Sequence, residues 1–136
     1  MKKKLEGPKV EDVSVAVVQE KGEDNVLVYN VYLINLQEKP LEGVLVSSRG
    51  YATAQESQIE VKTSMLRHFL DIVPPRSFKK IEPIIEDVFG LNNEYWVSFW
   101  INKKMYDKKF IFLSETIQPE NFVTVPIIGK PGVLIE

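Results

Sequence analysis

Cysteine is absent from this chain of 136 residues, and histidine occurs only once, as His68. Without cysteine, disulfides, thiolate nucleophiles and cysteine-rich zinc sites are excluded, and a reducing compartment is favoured. A Ser–His–acid triad needs a nucleophile beside its histidine, but no serine here lies in a nucleophile-elbow sequence. A single histidine also leaves too few ligands for a transition-metal site. We therefore predict no catalytic residue, no metal site, no cofactor and no enzymatic activity.

Other absences narrow the functional class further. The seven glycines are scattered singly, so the chain has no glycine-rich loop that would cradle a phosphate. Apolar runs are far shorter than the about 20 residues that span a bilayer, and the lysine-rich start from Met1 to Pro8 has no apolar stretch behind it. The net charge of −2 and the pI near 5.6 argue against a dedicated nucleic-acid binder. We expect a cytoplasmic protein without membrane association.

What the sequence does contain is a period-two alternation of apolar and polar residues, typical of half-buried strands. The segment from Val26 to Leu36 is apolar on both faces, which favours a central position in a sheet. The other alternating segments are separated by turns rich in Gly, Pro or Asn. We predict a core built from the inward-facing members of these segments: Val15, Val17, Val28, Leu33, Val46, Val97 and Phe99.

Residues 58–73 allow two interpretations. Alternation around Ile59 favours a strand, whereas the spacing of Met65 and Phe69 also fits a helix. A proline at position 74 would end either element. Because the neighbouring segments are all strands, we predict a strand that ends before Pro74, with a helix as the alternative.

About seven strands without helical alternation predict an all-β domain, an immunoglobulin-like two-sheet antiparallel sandwich. A closed barrel is the alternative architecture. We divide the chain into a flexible basic tail over residues 1–9, the β-sandwich domain over residues 10–116, and an extended C-terminal segment over residues 117–136 that packs on the domain.

Several short segments resemble known families. Residues 31–36 and 40–44 are similar to the passage between the second and third strands of bacterial immunoglobulin-like domains. Residues 73–78 are similar to the proline-rich bend before their fifth strand, E, and residues 93–97 to the start of their sixth strand, F. That resemblance covers roughly residues 26–113 and implies a fold, although the cysteine pair of true immunoglobulin domains is missing.

A second resemblance rests on two other segments. Residues 62–68 and 108–112 are similar to a group of short cytosolic bacterial proteins of unassigned function, some of which carry a label as the phenylalanyl-tRNA synthetase alpha subunit. The chain has no ATP-binding motif and is far shorter than a synthetase catalytic domain, so it does not support that label.

Carboxylates occur in two groups that could support acid–base chemistry or calcium binding. Glu82 and Glu86 lie in an alternating segment, which predicts the solvent-facing side of a strand. Glu20, Glu23 and Asp24 predict a solvated turn, with weak calcium binding as the alternative. The hypothesis that the chain is an enzyme working through carboxylates is therefore less favoured than the two binding hypotheses given below.

The segment from Tyr95 to Ile101 bears most directly on function. Its residues alternate between two faces of a strand. We expect the more uniformly apolar face to point to the core, and it consists of Tyr95, Val97, Phe99 and Ile101. Period-two geometry then sends Trp96, Ser98 and Trp100 outward. Because two exposed tryptophans commonly mark an interface, we predict that the C-terminal segment covers them or that a subunit contact buries them. A two-residue turn at Asn102-Lys103 is predicted to close this hairpin.

These features favour a non-enzymatic module that binds a protein partner or forms a homo-oligomer. The candidate partner surface comprises Trp96, Trp100, Arg67 and His68. The alternative is binding of RNA or single-stranded nucleic acid, because lysines at positions 103, 104, 108 and 109 flank the aromatic hairpin.

Overall fold

The computed structural model describes residues 10–54 and 59–136, so the predicted basic tail at residues 1–9 lies outside the described residues. Ten strands form most of this part of the chain. They are β1 (Val13–Lys21), β2 (Leu27–Asn35), β3 (Leu41–Ala54), β4 (Ile59–Lys62), β5 (Leu66–Val73), β6 (Ser77–Ile84), β7 (Asn92–Ile101), β8 (Lys104–Phe112), β9 (Val123–Thr124) and β10 (Pro131–Ile135). Within these residues, no helix has both the length and the hydrophobicity required to cross a membrane.

The strands pair into two antiparallel sheets. The first sheet has the order β6-β2-β1-β10-β9, and the second has the order β4-β3-β7-β8. β5 pairs with the edge of β3 that also binds β4, so β4 and β5 form one interrupted edge strand. The predicted two-sheet antiparallel sandwich is confirmed, and the closed-barrel alternative is wrong. The strands exceed the predicted seven because the edge strand is interrupted and residues 117–136 add β9 and β10.

The core lies between the sheets and contains six of the seven predicted residues. Val15, Val17, Leu33, Val46, Val97 and Phe99 are fully buried. Val28 is only partly buried and pairs with Glu20 on the outer side of the first sheet, so its predicted place in the core is wrong. Aromatic rings fill the centre of the second sheet's inner face, where Tyr95 and Phe112 meet edge to face and Phe99 stacks on Tyr106. The other predicted inward-facing registers hold in both sheets, whereas Val28 and Leu33 lie on opposite faces of β2 because five positions separate them.

Residues 59–73, for which the sequence allowed a strand or a helix, contain two strands in the structure. β5 pairs antiparallel with β3 from Val73 opposite Leu41 to Leu66 opposite Ser48, and no helix forms there. The strand prediction is confirmed for the described residues, with Gln58 outside them. A bulge at Asp71, where φ is +63°, interrupts the pairing near its end.

β1 is buried on both of its faces because the C-terminal segment crosses the outer side of the first sheet. Val125 packs there with Ala16, Val18 and Ile34 in a second, smaller apolar cluster. β10 pairs with β1, and β9 pairs with β10. The segment therefore covers the first sheet and does not cover the tryptophans, which lie on the second sheet.

Candidate functional site

The outer face of the second sheet exposes both tryptophans of the chain. Tyr95, Val97 and Phe99 point into the core, so the alternating residues of β7 point to solvent as predicted. Trp96 is 45% exposed and Trp100 is 44% exposed. The prediction that the C-terminal segment covers them is wrong, because that segment uses its apolar side chains on the first sheet. Burial in a subunit contact stays a prediction.

Apolar side chains of the neighbouring strands extend this surface. In the registers of β3, β5, β7 and β8, Leu45 lies opposite both Phe69 and Ser98, and Trp100 lies opposite Met105. Residues paired in this way project from the same side of a sheet. The set, here called the tryptophan face, consists of Leu45, Phe69, Trp96, Trp100 and Met105, and each member is between 39% and 67% exposed. A shallow groove of about 220 Å³ runs along Leu45, Trp96 and Met105.

Local backbone geometry holds Trp100 in place. The register of β3 against β7 shifts between Glu42 and Leu45, where Gly43 adopts a φ of +56°. A Cβ atom at Gly43 would lie 3.2 Å from Trp100 Cδ1. The bulged glycine therefore lets the indole ring rest on the backbone of β3, an approach that glycine permits at little steric cost.

Charges of both signs surround the tryptophan face. Arg67 shares a row with Trp96, and the Lys109 ammonium lies 4.6 Å from the Trp96 ring centroid. Glu42 pairs with Trp100, and Asp107 pairs with Ser98, so two carboxylates lie on the same side of the sheet. The tryptophan face therefore has a rim of mixed charge, which differs from a groove lined by cations alone.

The structure brings together three of the four predicted partner residues. Trp96, Trp100 and Arg67 lie on the outer side of the second sheet, because Ser47 of β3 pairs with both Arg67 and Trp96. His68 is the next residue along β5 and projects to the opposite side. Its Nε2 atom lies 2.7 Å from Glu82 Oε1. His68 therefore belongs to a different cluster.

Glu82 is the centre of that second cluster and corrects the prediction of an exposed carboxylate. It accepts hydrogen bonds from Ser48 Oγ at 2.9 Å and from Tyr95 Oη at 2.9 Å, besides the contact with His68. The register of β6 against β2 shifts at this point, so that Val31 pairs with Glu82 and Tyr32 with Lys80. The extra residue, Ile81, breaks the alternation, and Ile81 and Glu82 both turn inward.

The chemistry of this cluster differs from that of a hydrolase triad. In a triad the histidine lies between nucleophile and acid, whereas here Ser48 and His68 each bond directly to the carboxylate. Burial and the neighbouring Glu82 carboxylate raise the pKa of Tyr95 far above its usual range. A tyrosine held neutral in this way acts as a fixed hydrogen-bond donor.

A third polar cluster lies on the first sheet and corrects the prediction of a solvated turn at Glu20. The Glu20 carboxylate accepts hydrogen bonds from Asn30 at 2.6 Å, Tyr32 at 2.6 Å and Lys130 at 2.8 Å. Burial alone would raise the pKa of Glu20, but the bonds from Lys130, Tyr32 and Asn30 outweigh it and lower that pKa. Burial and the Glu20 carboxylate raise the pKa of Tyr32 to about 12.

Neither a metal site nor a relative identifies the chemistry further. Across residues 10–54 and 59–136, no group of three or more histidine and carboxylate side chains is placed to hold a metal ion. Comparison of the chain with protein-family models, curated proteins and solved structures finds no match in any of the three. The immunoglobulin-like resemblance therefore stays a prediction.

Proposed function

We propose that this chain is a non-enzymatic, cytoplasmic interaction module that self-associates through its tryptophan face. The observation that supports this most strongly is the contiguous apolar surface around Trp96 and Trp100 on the outer side of the second sheet. Its occupant in the proposal is the tryptophan face of a second copy of the chain.

We also propose that the domain is immunoglobulin-like, and the strand order supports this assignment. β1, β2 and β6 share a sheet as strands A, B and E do in immunoglobulin domains, and β3, β7 and β8 correspond to strands C, F and G. β5 pairs with β3 and not with β6, which differs from strand D of a constant domain. The outer side of a C-F-G sheet is thus the proposed interface.

The size of the tryptophan face suits a dimer. Five large apolar side chains with these exposures present on the order of 500 Å² of apolar surface, which is at the upper end of what a monomer exposes. A stable interface buries about 800 Å² on each partner. The charged rim adds to the apolar surface, and tryptophan is enriched among residues that dominate binding energy.

The charges of the rim favour a second copy over nucleic acid. Contacts across a two-fold axis are reciprocal, so an axis through the middle of the tryptophan face brings the Trp96 end of one copy to the Trp100 end of the other. Arg67 and Lys109 flank Trp96, so they then approach carboxylates of the second copy. Glu42 and Asp107 supply those carboxylates. A nucleic-acid surface would instead present an excess of cations along the path of the phosphates.

Edges of the sheets are less suited to recruit a partner strand. Pro83 lies in the outer strand β6, and β8 carries Lys104, Asp107, Lys108 and Lys109. On β5 the backbone carbonyl of Leu70 already accepts a bond from Lys79 Nζ at 2.7 Å. Prolines and charges at edges oppose strand addition, so the face is the better surface for association.

The test is the mass of the purified chain in solution. Sedimentation equilibrium over a concentration series up to about 1 mM should show a monomer–dimer equilibrium, with a dissociation constant on the order of micromolar. Trp96→Lys replaces a large apolar member of the tryptophan face by a cation and should weaken association at least about tenfold, because an unpaired charge would be buried. Val26→Lys is the matched control, since Val26 is 60% exposed and lies outside the face.

Two results would overturn the proposal. A wild-type chain that stays monomeric over the whole series excludes the second copy as occupant. Equal dissociation constants for wild type and Trp96→Lys exclude the tryptophan face as interface. If the monomer instead loses tryptophan fluorescence on titration with single-stranded oligonucleotides, the nucleic-acid alternative replaces self-association.

A further inference from the structure

A cavity of about 320 Å³ lies where the edges of the two sheets separate, on the side of the sandwich formed by β5 and β6. Its apolar wall consists of Leu66, Ile84, Ile85 and Val88. Glu82 and Tyr95 line its polar end. The volume falls at the lower end of the range of about 300–1,000 Å³ that is typical of small-molecule sites.

The polar end of this cavity carries the Glu82 carboxylate. Its neighbours Ser48 and Tyr95 are neutral donors, and its basic neighbour is His68, whose Nε2 atom lies 2.7 Å from Oε1. Within the described residues no lysine or arginine forms an ion pair with it. Arg49 also lines the cavity, but its guanidinium bonds to Glu94 at 3.3 Å. A carboxylate offers about four acceptor positions, and the three bonds described above leave one open.

We propose that this cavity binds a small amphipathic organic amine. Its ammonium group donates a charge-assisted hydrogen bond to Glu82, and its apolar body packs against Ile84, Ile85 and Val88. A cation in a largely apolar cavity needs an anionic partner, and the Glu82 carboxylate is that partner. An anionic ligand of the same size would face the carboxylate at close range and be rejected. This site is independent of the tryptophan face, which lies on the other side of the second sheet.

Three probes of equal length test the choice of ligand: n-hexylamine, hexanoate and hexanol. Titration of the labelled full chain, followed by NMR at the backbone amides of residue 82 and residues 84–88, should show saturable binding of hexylamine. Hexanoate should bind at least about tenfold more weakly, because it carries the charge of the carboxylate that it would meet. Hexanol should also bind more weakly, because its hydrogen bond lacks the charge.

Two variants test the location. Glu82→Gln keeps an acceptor oxygen but removes the negative charge, and should weaken hexylamine binding at least about tenfold while leaving hexanol binding within about twofold. Ile85→Lys places a cation at the mouth, where Ile85 is 62% exposed and its replacement spares the core. It should also weaken hexylamine binding. Val123→Lys, on the far edge of the first sheet, is the matched control and should bind as wild type does.

The proposal is overturned if hexylamine shows no saturation below about 10 mM. Equal affinity for hexylamine and hexanoate, or for hexylamine and hexanol, also overturns it, because charge would then play no part. If Glu82→Gln does not fold, Ile85→Lys decides: hexylamine binding unchanged in that variant places the ligand elsewhere.

Discussion

The Tyr95 hydroxyl donates a hydrogen bond of 2.9 Å to Glu82 and so joins β7 of one sheet to β6 of the other. Tyr95 is almost fully buried, and the carboxylate that it binds is mostly buried as well. A hydrogen bond to a charged group contributes about 1.5–3 kcal/mol, since removing the donor leaves a desolvated acceptor unsatisfied. Tyr95→Phe should therefore lower the free energy of unfolding by about 1.5–3 kcal/mol, measured by urea denaturation.

Tyr106→Phe provides the matched control for that measurement. The Tyr106 ring stacks on Phe99 in the same core, and its hydroxyl has no hydrogen-bond partner within the described part of the chain. Its substitution should change the free energy of unfolding by less than about 0.5 kcal/mol. Equal losses in both variants would show that the link to Glu82 contributes nothing specific.

The turn of the β7–β8 hairpin offers a stabilising substitution. Asn102 and Lys103 have φ values of +49° and +67°, which is the geometry of a type I′ turn and confirms the predicted two-residue connection. Lysine in the left-handed region costs about 1–2 kcal/mol relative to glycine, partly offset by the backbone entropy that glycine loses on folding. Lys103→Gly should raise the free energy of unfolding by up to about 1 kcal/mol.

Thermal unfolding checks this substitution with a neighbouring control. Lys104 is the first residue of β8, where the backbone is extended and glycine brings only an entropic cost. Lys104→Gly should therefore lower the melting temperature while Lys103→Gly raises it. A fall in both variants would contradict the assignment of strain to Lys103.

Sequence periodicity predicted the registers of the sheets because each strand must bury one face, and a slip by one residue would expose it. The same reasoning found that Trp96 and Trp100 point outward. It failed at Glu82, because the bulge that turns Glu82 inward arises from pairing with a strand about 50 residues earlier in the chain. No local pattern around residue 82 contains that pairing, so the polar end of the cavity was missed.

The prediction that the C-terminal segment covers the tryptophans failed for a different reason. Its apolar residues indicated that it packs on the domain, but two outer faces, one on each sheet, were open to it. Gly132 favours the first sheet, because the lack of a side chain allows β10 to approach β1 closely. A Cβ atom at Gly132 would lie 2.3 Å from the Val17 carbonyl oxygen. The significance of a single glycine for a pairing with residues over 100 positions away is not visible in the sequence.

Gly132→Ala should therefore destabilise the domain strongly. The added methyl group meets backbone that cannot move without disturbing the pairing of β1, so we expect a loss of about 2–3 kcal/mol or more. Gly90→Ala is the control, because a Cβ atom there meets only the flexible Glu115 carboxylate at 3.2 Å. Thermal unfolding should show a large drop in melting temperature for Gly132→Ala alone, and similar curves for both variants would contradict this account.

The Glu20 cluster should make the stability of the domain depend on pH in the acid range. Folding lowers the pKa of Glu20 below its ordinary value of 4.5, because the bonds from Lys130, Tyr32 and Asn30 outweigh the effect of burial. Between the lowered value and 4.5 the unfolded chain binds more protons than the folded chain. The stabilisation is thus complete above pH 4.5 and is lost as the pH falls through the lowered pKa of the folded state. Lys130→Met removes one of these donors and should cost about 0.5–1 kcal/mol at neutral pH, because Lys130 is half exposed.

The difference between wild type and Lys130→Met should shrink as the pH falls through this range, since protonated Glu20 no longer attracts the ammonium group. Urea denaturation at neutral pH and at several acidic values measures it. Lys39→Met is the control, because Lys39 is exposed and its side chain lies outside this cluster, and its effect should be small at every pH. A deficit of Lys130→Met that stays constant from neutral to acid pH would mean that Lys130 stabilises the fold through packing of its apolar stem on β1, and that the bond to Glu20 contributes little.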